Sequence, residues 1–441
     1  MADLRPSRWY RVAVATATRA ARLGARFDDK IARGLAGRHG LADRYAAWAA
    51  AHRDPGRPLV WFHAPSVGEG LQAKPVLEAL RAERPEWQLA YSFFSPSAER
   101  LAKALPVDFT DYLPLDRLPD VRVALETLAP TALVYAKLDV WPELTLAAAA
   151  RGTRLGLISA TVAPHSSRLA WPVRAWATPA YAALDRIGAI GAEDAARLER
   201  LGARRETITV TGDTRYDSVA ERAERLDRSS EPLAALAPGN PDTFTIVAGS
   251  TWPADEAVVL PAFAEFVTRG ETQWTRLILA PHEPSASHLA AVDAVAQRCG
   301  LPRPMRLSQI GAAPPGHVTV IVVDRVGVLA DLYALGQAAY VGGGYHRAGL
   351  HSTLEPAAFG VPVCVGPGWT MSRDAGLLLQ RGAAVALPAD GRRALVNQWL
   401  IWLREPAARV RAGAAAAAVV REGRGAAART AALVRGLVDR D

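Results

Sequence analysis

Five stretches of this sequence place hydroxyls, carboxylates, histidines or glycines directly after short apolar runs, where a strand would end. In HAPSVGEG, Ser66, Gly68 and Glu69 follow the run ending at His63. Ser66 and Glu69 have the spacing of a helix-capping box, and a carboxylate at such a turn also suits a general base. In YAKLDVW, Lys137 and Asp139 form either a plain ion pair or a polar pair that meets substrate. In ISATVAPHSSR, Ser159, His165, Ser166 and Arg168 lack a placed acid, so nucleophilic catalysis by a triad is rejected. In VAGSTWPADE, Gly249, Ser250 and Thr251 turn from a strand toward a helix. Small residues there let a backbone approach a phosphate, which a helix N-terminus attracts. The stretch is neither a P-loop nor a dinucleotide fingerprint. In GGGYHRAGLHSTLEP, Gly342 and Gly343 begin a run that permits close backbone approach and unusual φ angles. Ser352 and Glu355 again fit a capping box, which leaves Arg347 and His351 unexplained.

The elements that must position these residues alternate between short runs apolar on both faces and helix-length stretches. Strands are expected at 58–63, 88–93, 131–136, 154–158 and 207–212, then at 243–249, 275–281, 317–323, 337–343 and 361–366. This is the pattern of parallel strands with crossover helices. A polar, charged stretch after Gly212 separates the two series. The expected fold is therefore α/β, with two doubly wound Rossmann-like domains facing a central cleft. Their boundaries are read as 58–225 and 240–441, the second including the Ala-rich terminal helices. In such folds ligands bind beyond the carboxyl ends of the strands.

Composition adds bounds. The 441 residues suit two domains, and half of them are apolar. The two cysteines, Cys299 and Cys364, show no metal-ligand spacing, and no metal or cofactor is expected. No secretory signal and no run long enough to span a bilayer are visible, so a cytoplasmic protein is expected. Charge is unevenly distributed: residues 1–57 hold twelve Lys/Arg against five Asp/Glu, whereas the rest holds 40 against 39. Within that segment Trp9, Val12, Leu23, Phe27 and Ile31 are interspersed with arginines. A basic amphipathic segment of this kind reads as a membrane-surface element, or else as a solvated helix packed on its domain. Nucleic acid is not an expected partner, because no recognised binding motif accompanies the charge.

Taken in order, HAPSVGEGLQAKPVLEAL, FFSPSAER, YLPLD, LVYAKLDVWPEL, LISATVAP, VTGDTRYD, AGSTWPADE and LYALGQAAYVGGGYHRAGLHSTLEPAAFGVPVCVGP resemble the bacterial 3-deoxy-D-manno-octulosonic acid (Kdo) transferases. The resemblance runs from about residue 58 to 380. It implies a two-domain GT-B glycosyltransferase that moves Kdo from CMP-Kdo to the lipid A precursor, lipid IVA, in lipopolysaccharide synthesis. That transfer would be inverting and metal-independent, by a peripheral protein on the cytoplasmic face of the inner membrane. Carried onto this chain, the resemblance assigns CMP to Gly249, Ser250, Thr251, Pro281, His282, Gly342, Gly343, His351, Ser352 and Glu355. Ser66, Gly68, Lys137 and Arg215 would meet sugar or acceptor, and Glu69 and Asp139 would be catalytic. This chain departs from the family at Lys137-Leu138-Asp139, where many members have a Glu-Thr-Glu-type motif, at Ser352, where many have Asn, and at Ser159-Ala160-Thr161, where many have Asn-x-Arg. More seriously, the family places a base glutamate beside an Arg-x-Gly near the end of the N-terminal segment, and residues 35–40 here hold no acid. Glu69 is then the expected base. Two other readings stay open, a GT-B transferase using a UDP sugar and a non-catalytic nucleotide- or lipid-binding homologue.

Overall fold

The computed structural model describes residues 6–237, 240–269, 274–310, 318–347 and 349–439. The chain divides into two compact units, one comprising Met1–Ser218 with Gly423–Asp441 and the other Val219–Glu422. Each is built on a seven-stranded sheet in which every pairing is parallel.

In the first unit the strands are β1 (Leu59–His63), β2 (Gln88–Phe93), β3 (Phe109–Tyr112), β4 (Ala132–Ala136), β5 (Arg154–Ala160), β6 (Arg186–Ala189) and β7 (Ile208–Val210), in spatial order 3-2-1-4-5-6-7. β1, β2 and β4 are buried along their whole length, as parallel strands covered by helices on both faces must be. The order reverses between β1 and β4, which is where a doubly wound sheet opens a crevice. The second unit repeats the plan with β8 (Phe244–Thr251), β9 (Thr275–Pro281), β10 (Met305–Arg306), β11 (Val318–Val322), β12 (Ala338–Val341), β13 (Val363–Val365) and β14 (Ala384–Ala386). Its order is 10-11-9-8-12-13-14, with the reversal between β8 and β12. Two Rossmann-like domains of the GT-B type are thus present.

The unit boundaries differ from the sequence reading in three places, the first being the division itself, which falls between Ser218 and Val219 rather than between 225 and 240. Residues 1–57 are not a separate segment. The helix Leu41–His52 inserts Tyr45 into the first core, where its ring lies edge-on to Phe109 at 4.8 Å and its hydroxyl donates to the Tyr112 carbonyl. The last helix, Ala426–Val438, also belongs to the first unit, since Leu433, Val434 and Leu437 are buried in that same core. Its docking is helped by Gly156 on β5, which leaves room for the Leu437 side chain. Periodicity showed a terminal helix but could not show which sheet it covers.

The helix Arg8–Gly24 is held differently. It buries no residue fully, and its anchors are polar. The Tyr10 hydroxyl donates to the buried Asp116 (2.5 Å), and Arg11 grips Glu143 through two 2.7 Å bonds. Asp116 also accepts from the backbone N–H groups of Glu143 and Leu144. Burial outweighs these bonds and pushes its carboxyl up to about 6. Large apolar side chains of this helix and of the turn after it remain in solvent: Trp9 is 75% exposed, Leu23 62% and Phe27 92%. No helix among the described residues is long and apolar enough to cross a membrane.

Candidate active site

In the first unit the site residues gather where the sheet order reverses. β1 ends at His63, and the helix Val67–Glu83 starts after Ser66. The expected capping box does not form: Ser66 is the N-cap residue but caps no backbone N–H. Its hydroxyl instead donates to the Glu69 carboxylate, whose other oxygen accepts from Lys137 at 3.0 Å. The simple Lys137–Asp139 ion pair is also absent, because Lys137 reaches across the switch point to Glu69. Burial opposes the charged form of Glu69, but the Ser66 hydroxyl and the Lys137 ammonium outweigh it and hold the carboxyl below the ordinary range. Gly68 fronts open space, since a Cβ there would meet nothing nearer than the Ser66 hydroxyl at 4.0 Å.

Lys137 itself has φ of +64°, a left-handed conformation that costs a non-glycine residue about 1–3 kcal/mol. The turn is secured by neighbours. The Lys137 N–H donates to the Ile158 carbonyl, while Arg168 and Tyr181 both donate to the Leu138 carbonyl. Asp139 accepts from Trp141 Nε1 at 2.9 Å and lies 3.2 Å from His63 Nε2 and 3.6 Å from Arg168 Nη2. Burial raises its carboxyl, but His63, Arg168 and Trp141 together pull it below its ordinary value. All of its oxygens thus face groups that hold the turn. Arg215 is engaged by Asp213, with Nη2 to Oδ2 at 2.7 Å, in the segment after β7. His63 and Ser92 were missed from sequence because a histidine inside an apolar run gives no periodic signal. His63 is fully buried and bonds the Ser92 carbonyl and hydroxyl through Nδ1.

In the second unit the residues again collect at the reversal, on the ends of β8, β9 and β12. A bulge lies between Gly249 and Thr251, with Ser250 left-handed at φ +54°. The glycines here are packed against protein. A Cβ at Gly249 would overlap the Tyr333 hydroxyl, one at Gly342 the Ser250 backbone, and one at Gly343 the Gly349 carbonyl. Only Gly343 of these three has a positive φ, +95°. The residue that ties these turns together is Asp255, which the sequence reading did not single out. It is fully buried. It accepts from Trp252 N (2.9 Å), capping the helix Pro253–Arg269, and also from Gly343 N (2.8 Å) and the Tyr340 hydroxyl (2.7 Å). Its only sequence signal is an acid three residues after the residue that precedes the helix. Thr251 donates to Glu256, and the Glu256 carboxylate lies 2.9 Å from His288 Nε2.

Pro281 pairs with Thr251 across the sheet, and His282 N–H donates to the Thr251 carbonyl. Trp252 is stacked between His346, at 4.0 Å, and His282, at 4.8 Å, and donates from Nε1 to His351 Nε2. Burial, reinforced by neighbouring His282, lowers the His351 pKa, so the ring is biased toward its neutral form. Among the described residues no group of three or more His, Cys, Asp or Glu is arranged to hold a metal ion. The capping box expected at Ser352–Glu355 is absent. The short helix Leu354–Ala358 starts after Thr353, and no side chain caps it. Glu355 has no hydrogen-bond partner among the described residues. Burial raises its pKa, only partly countered by Arg222, which Asp331 already holds through bonds of 2.7 and 2.9 Å.

The geometry thus provides two strand-end sites, one presenting the ion-paired Glu69 and the other Glu355, a carboxylate with no hydrogen-bond donor among the described residues. The model of the 3-deoxy-D-manno-octulosonic-acid transferase family matches residues 35–218. The 3-deoxy-D-manno-octulosonic acid transferase of Bordetella pertussis is 32% identical over 387 residues, covering 84% of this chain and 85% of that one. The chain belongs to the Kdo transferase family. A second relative, from Chlamydophila psittaci, is 27% identical over 363 residues and 81% of each chain. Among solved structures, the UDP-GlcNAc 2-epimerase of Neisseria meningitidis bound to UDP-GlcNAc superposes with a TM-score of 0.60 at 12% identity, over 87% of this chain and 100% of that one. That likeness speaks to the fold alone.

For a Kdo transferase the surroundings of Arg38 hold particular interest, because no acid stands among residues 35–40. Gly37, just before Arg38, has no room for a side chain, since a Cβ there would overlap the Tyr112 ring. Arg38 lies over the rings of Phe94 (4.3 Å) and Tyr112 (5.0 Å) and donates to the carbonyls of Leu113, Gly34 and Phe94. Burial lowers its pKa to about 10, so it stays charged at neutral pH.

Proposed function

We propose that this protein transfers Kdo from CMP-Kdo to the lipid A precursor lipid IVA, with inversion and without a metal, at the cytoplasmic face of the inner membrane. Membership of the Kdo transferase family, through a relative aligned over 84% of the chain, carries the reading. In this reading CMP occupies the second unit. Its phosphate lies against the turn of Gly249, Ser250 and Thr251, its base near Pro281 and His282, and its ribose hydroxyls donate to Glu355. A carboxylate with no donor among the described residues suits that last task, because it can accept from two vicinal hydroxyls. His351, Ser352, Gly342 and Gly343 complete the pocket. Because the glycine Cβ positions are already filled by protein, the glycines serve by letting turns pack.

The reaction itself exchanges two bonds at the Kdo anomeric carbon. The bond to the CMP phosphate oxygen breaks as the acceptor hydroxyl oxygen attacks from the opposite face. The hydroxyl proton passes to Glu69, and CMP leaves with the bonding pair. Lys137 keeps Glu69 ionised and, with Arg215, lies near developing negative charge. Asp139 holds the Lys137 turn. The exposed Trp9, Leu23 and Phe27, set among arginines, support residence at an anionic membrane surface. Incubating the protein with CMP-Kdo and tetra-acylated lipid A precursor, and weighing the products by mass spectrometry, tests the reading. One or more Kdo additions are expected. Failure to consume CMP-Kdo, with turnover of a UDP sugar instead, would refute it. The Tyr112 ring beside Gly37 favours one second reading, a homologue that binds CMP without transferring Kdo, and CMP binding without product would identify it.

A further inference from the structure

The side chain of Trp252 is pinned by its neighbours in the second unit. Its backbone N–H donates to Asp255, which is fully buried in the first turn of the helix Pro253–Arg269. Its indole is stacked between His346, at an interplanar angle of 6°, and His282, at 28°. An indole N–H lies in the ring plane, so a fixed plane leaves it one direction, and it points at His351 Nε2, 3.2 Å away. The indole nitrogen can only donate. The His351 nitrogen that receives it must therefore hold a lone pair, which leaves the ring proton on Nδ1. The backbone of His351 is anchored as well, its N–H donating to the Gly342 carbonyl at 3.1 Å. Nδ1 has no hydrogen-bond partner among the described residues, and the residue is only partly buried, so its N–H is open to a ligand.

The groups around the ring agree with an uncharged form. His282, at the end of β9, lies 4.5 Å from it between ring centroids, and His346 faces it from the turn after β12. The acid that faces it is Asp255, whose oxygens already accept from Trp252 N, Gly343 N, the Tyr340 hydroxyl and, at 3.4 Å, Tyr345 N. Burial and the two histidines outweigh that carboxylate. We propose that Trp252 is a positioning residue that holds His351 as the neutral Nδ1–H tautomer, so that the ring meets the CMP phosphate as an uncharged donor. The inference rests on the CMP seat proposed above. A neutral imidazole N–H is too weak an acid to protonate the departing phosphate, so His351 orients CMP without changing its charge.

Two measurements test it. In long-range ¹H–¹⁵N spectra of the ligand-free protein at neutral pH, with His351→Gln used to assign the ring, Nε2 should resonate in the unprotonated range and Nδ1 in the protonated range. Trp252→Phe keeps an aromatic ring between His282 and His346 but removes the donor, and should lose that division. By calorimetry, Trp252→Phe should bind CMP about three- to tenfold more weakly at pH 8, the worth of one neutral hydrogen bond. The ratio to wild type should shrink toward one by pH 5.5, as the released imidazole gains a proton and attracts the phosphate. Comparing the two proteins at each pH cancels the titration of CMP itself. His351→Asn, whose amide nitrogen replaces Nδ1, should keep the affinity within about threefold, whereas His351→Gln, which reaches the Nε2 position, should not. A wild-type Nε2 in the protonated range, an affinity ratio constant with pH, or equal losses in the Asn and Gln variants would overturn the proposal. If the wild-type protein does not bind CMP, the functional reading fails, and the nitrogen shifts still decide the tautomer.

Discussion

Replacing Glu69 by Gln should separate chemistry from binding. The change keeps the side chain's size, and the amide oxygen can still accept from Ser66 or Lys137, so fold and donor affinity should survive. What it removes is the carboxylate proposed to take the acceptor proton, a contribution of about 10²–10⁴-fold in rate. The local electrostatics place the expected loss toward the lower end. A base works best when its pKa lies near the working pH, whereas Ser66 and Lys137 hold Glu69 below the ordinary glutamate range. We expect kcat to fall about a hundredfold or somewhat more, with the KM for CMP-Kdo within twofold. The same geometry dictates the pH dependence. Activity requires the ionised form, so it is lost as pH falls through the Glu69 pKa, which sits low in the native protein. Lys137→Met removes the ammonium 3.0 Å away and should move the acidic limb of kcat/KM to higher pH. Steady-state kinetics by release of CMP, from pH 4 to 8, would read both effects. A Glu69→Gln protein with at least half the native kcat would refute the assignment. So would an acidic limb that stays fixed when Lys137 is replaced.

Other consequences follow from burial and pairing. Asp255→Ala would orphan Trp252 N, Gly343 N and the Tyr340 hydroxyl, at about 1–3 kcal/mol each, and release the longer 3.4 Å bond from Tyr345 N. It should destabilise the second unit by roughly 3 kcal/mol or more in denaturant and abolish CMP binding by calorimetry, whereas Tyr340→Phe should cost far less. Truncation after Gly425 removes Leu433, Val434 and Leu437 from the first core, roughly 5–9 kcal/mol at 1.5–3 kcal/mol per side chain. That is comparable to the whole stability of a domain, so the first unit should fail to fold, as judged by limited proteolysis. The His351 pKa is lowered in the folded state, so the unfolded chain binds the proton more readily. Its share of stability should therefore be lost as pH falls through the ordinary histidine range, and His351→Gln should flatten that slope in thermal melts between pH 5 and 8.

Much of the architecture was legible because parallel strands covered on both faces must be continuous apolar runs. The expected strands at 88–93 and 275–281 coincide with β2 and β9. The strands that escaped notice are short. β3, β10 and β14 lie at sheet edges, where one side needs no apolar partner, and β6 is only four residues long. The strand-end stretches were legible for a related reason. A chain leaving a parallel sheet must turn, so polar and glycine residues there stand out against the apolar run before them.

What sequence alone determined is therefore the list of strand-end turns and the family to which the chain belongs, because both reside in local patterns and ordered motifs. Partnership was decided only by the tertiary structure. Ser66 and Glu69 have capping-box spacing, yet Lys137, 68 residues away in the chain, arrives across the β1–β4 switch point and turns the glutamate into an ion-paired carboxylate. Asp255 looks like an ordinary acid in a first helical turn until folding brings Gly343 N and Tyr340 to it. Gly37 lacks a side chain because Tyr112 from β3 fills its space, and the terminal helix covers the first sheet although it follows the second in sequence. Hydrogen bonds and steric exclusion act over a few ångströms, and only the folded chain says which residues lie that close.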